Sequence, residues 1–255
     1  MLLAIDAGNT NITLGVFQGS ELRANWRLIT DRAGTADDYG NQVGKLFDQA
    51  GINIKEVEAV IVASVVPQLD QTLKLMSESY LQLTPLFVDH TTNTGLKILY
   101  DEPSELGADR IVDAVAAVEK YGPPCIVVDF GTATTFNAIS SNREYLGGII
   151  APGIMTSAEA LFSRAAKLPR VPIERPRNVI GKSTVEAMKS GIYYGYAGLI
   201  DRLIEQIREE MGDAKVIVTG GLARVVKDQL HCVSEFDENL TLDGLRIVYE
   251  MNKKA

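Results

Sequence analysis

The sequence predicts an α/β protein built from two related halves with a ligand-binding cleft between them. Two segments, 3–17 and 126–139, share one order of features: apolar strand, aspartate, glycine, polar turn and second apolar strand. This pattern is typical of a β-hairpin. Two similar hairpins could come from an internal duplication or could arise separately from ordinary turn chemistry. Each segment is followed later by an apolar strand that ends at small residues, at 57–67 and 215–223. The second match favours an internal duplication, and a duplication of this size predicts a cleft between its copies.

The remaining elements follow from turn residues and from the spacing of apolar side chains. Short polar turns lead from each hairpin into a third strand, at 22–28 and 145–150, so each half is expected to open with a three-stranded meander. Apolar residues near helical spacing predict helices at 37–50 and 194–211.

The join between the halves is expected where a helix at about 109–120 meets a break. Gly122, Pro123 and Pro124 follow that helix, and a glycine with two prolines does not continue it. We therefore predict an N-terminal domain at 1–117 and a C-terminal domain at 118–255.

Composition and charge limit the classes of partner. The 255 residues include 46% hydrophobic and 23% charged residues, which is ordinary for a globular protein. The formal net charge is −8 and the basic residues are scattered, so we expect no nucleic-acid partner. No apolar run approaches the ~20 residues of a membrane span, and the start does not resemble a signal peptide. The expected location is the cytoplasm.

The two cysteines do not predict a metal site. Cys125 enters an apolar run and is expected to be a buried thiol. Cys232 follows His231, but one histidine and one cysteine without a second pair do not complete a tetrahedral site.

The first hairpin carries polar groups suited to a phosphate chain. We expect Gly8 to adopt a positive φ and to leave room for a ligand. Asn9, Thr10 and Asn11 offer hydroxyl, amide and backbone donors, and Asp6 can hold Mg²⁺ directly or through water. The alternative is a tight hairpin turn, in which asparagine and glycine are common.

The second hairpin repeats this chemistry. Thr132 and its neighbouring hydroxyls surround Gly131, and Asp129 can hold a cation or orient the turn. Alternatively, Asp129 is a buried acid that the hydroxyls satisfy. Gly220 and Gly221 end a later strand and would let a flat group such as adenine lie against backbone, or they form a simple strand-to-helix turn.

A third glycine-containing segment, GKST at 181–184, is not expected to be a P-loop. That motif requires a glycine five residues before Gly181, where this chain has Pro176. No dinucleotide-binding glycine fingerprint follows either leading strand.

The order of these motifs resembles that of the type III pantothenate kinases. The motifs are DAGNT at 6–10, GADR at 107–110, DFGTAT at 129–134, GG at 147–148, APG at 151–153 and TGG at 219–221. The resemblance extends from residue 3 to about 223. It implies the fold of the actin- and hexokinase-like ATPases, which is a duplicated ribonuclease H-like domain. It also implies ATP-dependent phosphorylation of pantothenate to 4′-phosphopantothenate, the first step of coenzyme A biosynthesis.

The resemblance also implies roles for individual residues. Asp109 would be the catalytic base, and Arg110 would pair with the pantothenate carboxylate. The residues alone instead favour Asp109 as an acid that stabilises a helix N-terminus, with Arg110 solvated. Asp129 would bind a monovalent cation, K⁺ or NH₄⁺, and Thr132 would touch ATP. The residues assigned to ATP and its cations are Asp6, Gly8, Asn9, Thr10, Asn11, Thr13, Asp129, Gly131, Thr132, Gly220 and Gly221. Those assigned to pantothenate are Tyr100, Gly107, Ala108, Arg110 and Thr184.

The family works as a homodimer, and the stretch 192–196 would lie either in that interface or in the core. One departure is Asn137, where the family favours aspartate. Two other functions stay open: another kinase or phosphohydrolase of the superfamily, and a non-catalytic nucleotide-binding regulator. The GADR motif argues against the first and the retained Asp109 against the second.

Overall fold

The computed structural model describes residues 1–164 and 168–253. The chain forms two compact units, Met1–Ala116 with Asn239–Ala255, and Ala117–Glu238. The elements, in chain order, are β1 Leu2–Ala7, β2 Asn11–Gln18, β3 Glu21–Ile29, α1 Ala36–Gln49, β4 Ala59–Ser64, α2 Pro67–Met76, β5 Leu86–Phe87, β6 Lys97–Ile98, α3 Ala108–Tyr121, β7 Cys125–Phe130, β8 Ala133–Ile139, β9 Glu144–Pro152, α4 Ile154–Arg164, α5 Thr184–Met211, β10 Lys215–Thr219, α6 Ala223–Val226, β11 Glu235–Phe236 and α7 Leu240–Asn252.

The first unit contains a mixed sheet in the order β3-β2-β1-β4-β5. Strand β1 is antiparallel to β2 and parallel to β4, so Asp6 lies opposite Thr13 on one side and Ala63 on the other. The strands bury β-branched and leucine side chains, and α1 and α2 add Phe47 and Leu69 to the same core. The meander and the later strand that the sequence predicts are both present, and the structure shows the later strand, β4, parallel to β1.

The second unit repeats that topology. Its strands are hydrogen-bonded in the order β11-β10-β7-β8-β9. Strand β7 is antiparallel to β8 and parallel to β10, which places Asp129 opposite Thr135 and Thr219. The correspondence of β1, β2 and β4 with β7, β8 and β10 confirms the predicted duplication.

The C-terminal helix belongs to a different unit from the one that the predicted domain boundary gives it. The predicted C-terminal domain spans all of 118–255, whereas Asn239–Ala255 groups with the first unit. Helix α7 packs against β1, β2 and β4, with Leu240 and Leu245 fully buried. At Gly244 the helix approaches α3 so closely that an added Cβ would collide with the carbonyl of Val112.

Helix α5 begins ten residues before the predicted start at residue 194. The side chain of Ser183 accepts a hydrogen bond of 3.2 Å from the amide of Glu186 and so caps the helix. The glycines at 191, 195 and 198 lower the helical propensity of this stretch, but burial of Tyr193 and Tyr196 outweighs that cost. Helix α3 ends as predicted, since Gly122 follows it with a φ of +80°.

No helix within the described residues has both the length and the apolar character needed to cross a membrane.

Candidate active site

The turn between β1 and β2 is closed by backbone hydrogen bonds. The amide of Gly8 donates to the carbonyl of Asn11 at 3.0 Å. The predicted positive φ at Gly8 is wrong, because its φ lies outside the left-handed region. What Gly8 supplies is space, since a Cβ there would lie 3.0 Å from that same carbonyl oxygen. Asn9 and Thr10 are exposed, and Asp6 and Asn11 are half-buried.

The segment before α3 lies at the same edge of the first sheet. A Cβ on Gly107 would lie 3.3 Å from Val65 Cγ1, and the amide of Val65 donates to the carbonyl of Ala7 at 3.0 Å. This contact places the start of α3 beside the ends of β1 and β4. In open α/β sheets, ligands bind outside the carboxyl ends of the strands, at the point where the strand order reverses.

Asp109 lies in the first turn of α3, where its carboxylate folds back over Gly107. A Cβ on Gly107 would lie 2.5 Å from Asp109 Oδ1, so a larger residue at 107 would displace the carboxylate. The amide of Arg110 donates to Asp109 Oδ1 at 2.7 Å. Burial raises the pKa of Asp109, while the Arg110 amide and guanidinium act in the opposite direction. A raised pKa makes this carboxylate a better proton acceptor.

Arg110 is buried, with 6% of its surface exposed. Its guanidinium carbon lies 5.8 Å from the centre of the Tyr100 ring, within the range of a cation–π contact. Ala108 is also buried. The structure therefore brings together Tyr100, Gly107 and Arg110, three of the residues assigned to pantothenate, beside Asp109.

In the second unit two separate motifs meet at the carboxylate of Asp129. A Cβ on Gly220 would lie 2.5 Å from Asp129 Oδ1, and one on Gly131 would lie 3.4 Å from Oδ2. Gly220 has a φ of +93°, which side chains of L residues rarely tolerate. Glycine is thus required at 220 for both its φ and its contact. Gly221 follows, and the short helix α6 begins two residues later.

The turn at 131–132 is supported by the APG segment at 151–153. The carbonyl of Thr132 accepts from the amide of Gly153 at 3.1 Å and from the hydroxyl of Thr156 at 2.7 Å. A Cβ on Gly153 would lie 2.6 Å from the carbonyl oxygen of Gly131. The side chain of Thr132 remains exposed.

A cavity of about 350 Å³ lies next to Gly220 in the second unit. Its walls are formed by Val218, Thr219, Gly220, Ala223, Arg224, Lys227, Phe236 and Glu238. The Lys227 ammonium lies 4.8 Å above the Phe236 ring, and Arg224 forms an ion pair with Glu238. Phe236 and Lys227 are not among the predicted site residues, because they come from segments that carry no motif of their own.

Comparison with known proteins identifies the family. Residues 2–206 match the family model described as type III pantothenate kinase. The chain belongs to the type III pantothenate kinase family. A type III pantothenate kinase of Exiguobacterium sp. is 50% identical over 254 residues, with all of both chains covered.

Solved structures agree on the fold of this pantothenate kinase family member. The activator of 2-hydroxyisocaproyl-CoA dehydratase from Clostridium difficile, solved with ADPNP, has a TM-score of 0.58 at 10% identity and covers 100% of this chain and 97% of its own. The ROK hexokinase from Thermus thermophilus has a TM-score of 0.53 at 12% identity, with 98% and 99% covered. The duplicated actin- and hexokinase-like fold is confirmed.

Thr184, which the family resemblance assigned to pantothenate, lies in the second unit and is the first residue of α5. It is exposed and lines a mainly apolar groove of about 630 Å³. The groove runs between α4 and α5 and includes Leu161, Met188 and Leu199.

Other predicted positions of the pantothenate kinase belong to its core. Asn137 is fully buried, accepts from the Tyr145 hydroxyl at 2.7 Å, and lies two residue pairs along β8 from the partner of Asp129. Tyr193 and Tyr196 are buried, and the Tyr196 hydroxyl lies 2.5 Å from Thr134 Oγ1. The buried thiol of Cys125 is confirmed, with a pKa raised by burial to about 12.

The described residues contain no cluster of three acidic, histidine or cysteine side chains placed to hold a metal ion. Asp6 and Asp129 are single carboxylates at strand ends. A single carboxylate fits Mg²⁺ when substrate phosphates and water complete its coordination. These residues are therefore compatible with a cation that arrives with a nucleotide.

Proposed function

We propose that this protein transfers the γ-phosphoryl group of ATP to the 4′-hydroxyl of pantothenate, forming 4′-phosphopantothenate and ADP. Membership of the type III pantothenate kinase family supports this function. The structural observation that carries it is the position of Asp109. Its carboxylate has a raised pKa and lies at the carboxyl edge of the first sheet, beside buried Arg110.

In this proposal, Asp109 orients the 4′-hydroxyl and accepts its proton. The alcohol oxygen forms a bond to the γ-phosphorus, and the bond from that phosphorus to the β–γ bridging oxygen breaks as ADP leaves. Arg110 binds the pantothenate carboxylate through its planar guanidinium, which the Tyr100 ring holds in place.

The residues assigned to ATP come from both units, and the assignment is argued for each unit by itself. In the first unit, Gly8, Asn9, Thr10, Asn11 and Thr13 supply donors for phosphate oxygens. In the second unit, the base occupies the cavity beside Phe236, and Gly131 and Thr132 contact the phosphates. Gly220 supports this arrangement because it both lines the cavity and contacts Asp129, and Gly221 continues the same turn.

Two cations complete the proposed site. Asp6 would hold Mg²⁺ together with phosphate oxygens, and Asp129 would hold K⁺ or NH₄⁺. When bound, Mg²⁺ would neutralise charge on the transferring phosphoryl group, and the monovalent cation would support the nucleotide-binding turn.

We also propose that the protein is a cytoplasmic homodimer. Support comes from the apolar groove beside Thr184 and from the side chains of Val179 and Ile180, which are 64% and 82% exposed. Large exposed apolar surfaces are typical of protein interfaces. Sedimentation equilibrium tests the dimer, and a monomer at all concentrations would contradict it.

Purified protein incubated with ATP, Mg²⁺, K⁺ and pantothenate should form 4′-phosphopantothenate, measured by mass spectrometry together with ADP release. A panel of acceptors that includes sugars, acetate and polyphosphate distinguishes the other superfamily kinases. Folded protein that does not phosphorylate pantothenate in this assay contradicts the proposal. ATP binding without acceptor-dependent ADP release would instead favour a nucleotide-binding regulator.

A further inference from the structure

The loop after β3 is attached to the turn that follows β1. The amide of Thr30 donates to the carbonyl of Thr10 at 3.0 Å, and the Thr30 hydroxyl donates to the carbonyl of Gly8 at 2.6 Å. These two bonds connect backbone atoms on both sides of Asn9. The loop is therefore part of the same local structure as the proposed phosphate-binding turn.

The same loop is also anchored to α1 by Tyr39, which is 3% exposed. The Tyr39 hydroxyl accepts from the amide of Asp31 at 3.0 Å and donates to the carbonyl of Asp31 at 2.8 Å. Thr35 then caps α1 in a reciprocal pair with Asp38. Arg32 lies between these anchors, so its backbone is held in place although its side chain is exposed.

The guanidinium of Arg32 reaches back to this turn. Its Nη2 donates to Asn9 Oδ1 at 2.8 Å. An arginine side chain can only donate, so Asn9 must present its oxygen to Arg32, which leaves the Asn9 NH₂ group as the donor for another partner. The segment 6–13 contains no basic side chain, and a triphosphate requires positive charge as well as neutral donors.

We infer that Arg32 is a positioning residue for the phosphates of ATP. It fixes the Asn9 amide with its NH₂ group toward the phosphates, and it places a positive charge at a turn whose own side chains supply none. The inference rests on the proposed function, because it assumes that this turn binds ATP. The other donors of the guanidinium remain suited to phosphate oxygens.

The test compares Arg32→Ala and Arg32→Lys with Arg23→Ala. Arg23 is an exposed arginine of β3 in the same unit that donates to Gln18 near the opposite end of the β2–β3 hairpin, and it serves as the matched control. Losing charge-assisted hydrogen bonds should raise the KM for ATP in Arg32→Ala by about tenfold or more. The KM for pantothenate should stay unchanged. Arg32→Lys should recover part of the loss, because an ammonium keeps the charge but not the fork.

A double variant tests the connection to Asn9. If the two side chains act as one unit, Arg32→Ala combined with Asn9→Ala should raise the KM for ATP no further than the larger single effect. Direct binding adds a second measurement: Arg32→Ala should weaken ATP binding by calorimetry much more than it weakens adenosine binding, since only ATP carries phosphates.

The outcomes separate the inference from the proposed function. A parent protein that forms 4′-phosphopantothenate and an Arg32→Ala variant with the parent's KM for ATP would overturn the inference alone. A parent protein that forms no product would overturn the proposed function. The inference is then decided by calorimetry: ATP binding weaker in Arg32→Ala than in Arg23→Ala supports it, and equal binding overturns it.

Discussion

Asp109 shows how a single residue combines opposing effects on its charge. Burial raises the pKa of its carboxyl, whereas the amide and guanidinium of Arg110 stabilise the ionised form. Burial has the larger effect, so the carboxylate is more basic than that of an exposed aspartate. That property suits a group that must accept a proton from an alcohol.

Asp109→Asn should reduce kcat by about 10²–10⁴-fold, because the amide keeps the acceptor for the Arg110 N–H but does not take a proton. The KM for ATP should stay close to that of the parent. Glu105→Gln, an exposed acid in the preceding turn, is the matched control and should keep the parent's kcat. Steady-state kinetics checks both variants, and near-normal turnover of Asp109→Asn would remove Asp109 from its proposed role.

The same residue predicts a pH-dependent stability. Because the folded chain raises the pKa of Asp109, its contribution to stability is complete below the unfolded value of about 3.9 and is lost as pH rises through the folded value. Asp109→Asn should therefore become more stable relative to the parent as pH rises across this window. Urea unfolding at a series of pH values measures the difference. A difference in unfolding free energy that does not change with pH would count against the burial of this charge.

At the scale of elements, the two units position their polar groups by bringing strand ends close together. Adjacent parallel strands place Asp129 beside Gly220, and β1 and β4 place Ala7 beside Val65. The approach at Gly220 leaves no room for a side chain. Glycine at 220 is therefore a requirement of packing between β7 and β10 as well as of the turn itself.

Gly220→Ala should destabilise the fold by about 1 kcal/mol or more, because alanine tolerates neither the φ of +93° nor the contact with Asp129. It should also weaken ATP binding and reduce activation by K⁺. Gly44→Ala is the control, because Gly44 lies inside α1 with open space at its Cβ and should gain roughly 0.4–1 kcal/mol. Thermal unfolding and calorimetry measure both. Parent-like ATP binding by Gly220→Ala would exclude this turn from the nucleotide site.

At the scale of the whole molecule, the duplication gives two sheets of the same topology with different loops. In each unit a glycine turn of the predicted site follows the carboxyl end of a strand in one parallel pair, β1 with β4 and β7 with β10. The units do not follow chain order completely. Helix α7 comes after the second unit in the chain but packs against the sheet of the first unit.

Removal of 239–255 should therefore destabilise the first unit, since it uncovers the surface that Leu240, Leu245 and Val248 bury. Trp26 is the only tryptophan of the chain and packs on Phe47 in that unit, so its fluorescence reports this change. A chain shortened only by 253–255 is the control. Equal unfolding midpoints for the two shortened chains would contradict the assignment of α7 to the first unit.

Much of the site follows from local sequence patterns. Apolar strands flanking a short polar turn predict both hairpins, and the GADR segment predicts a helix start that the structure confirms at α3. Tyr100 beside Arg110 was expected only from the family resemblance, and their contact is now observed. The roles assigned to these residues stay predictions, because the position of a side chain does not by itself establish its function.

Local patterns determined the elements, the duplication and the family of this protein, because apolar strands, helical spacing and turn chemistry involve residues that are close in the chain. Tertiary packing decided which unit holds α7, which lysine covers Phe236, and that Arg32 donates to Asn9. Each of these depends on contacts between separate segments. No local pattern carries that information, because the partner residue lies elsewhere in the chain.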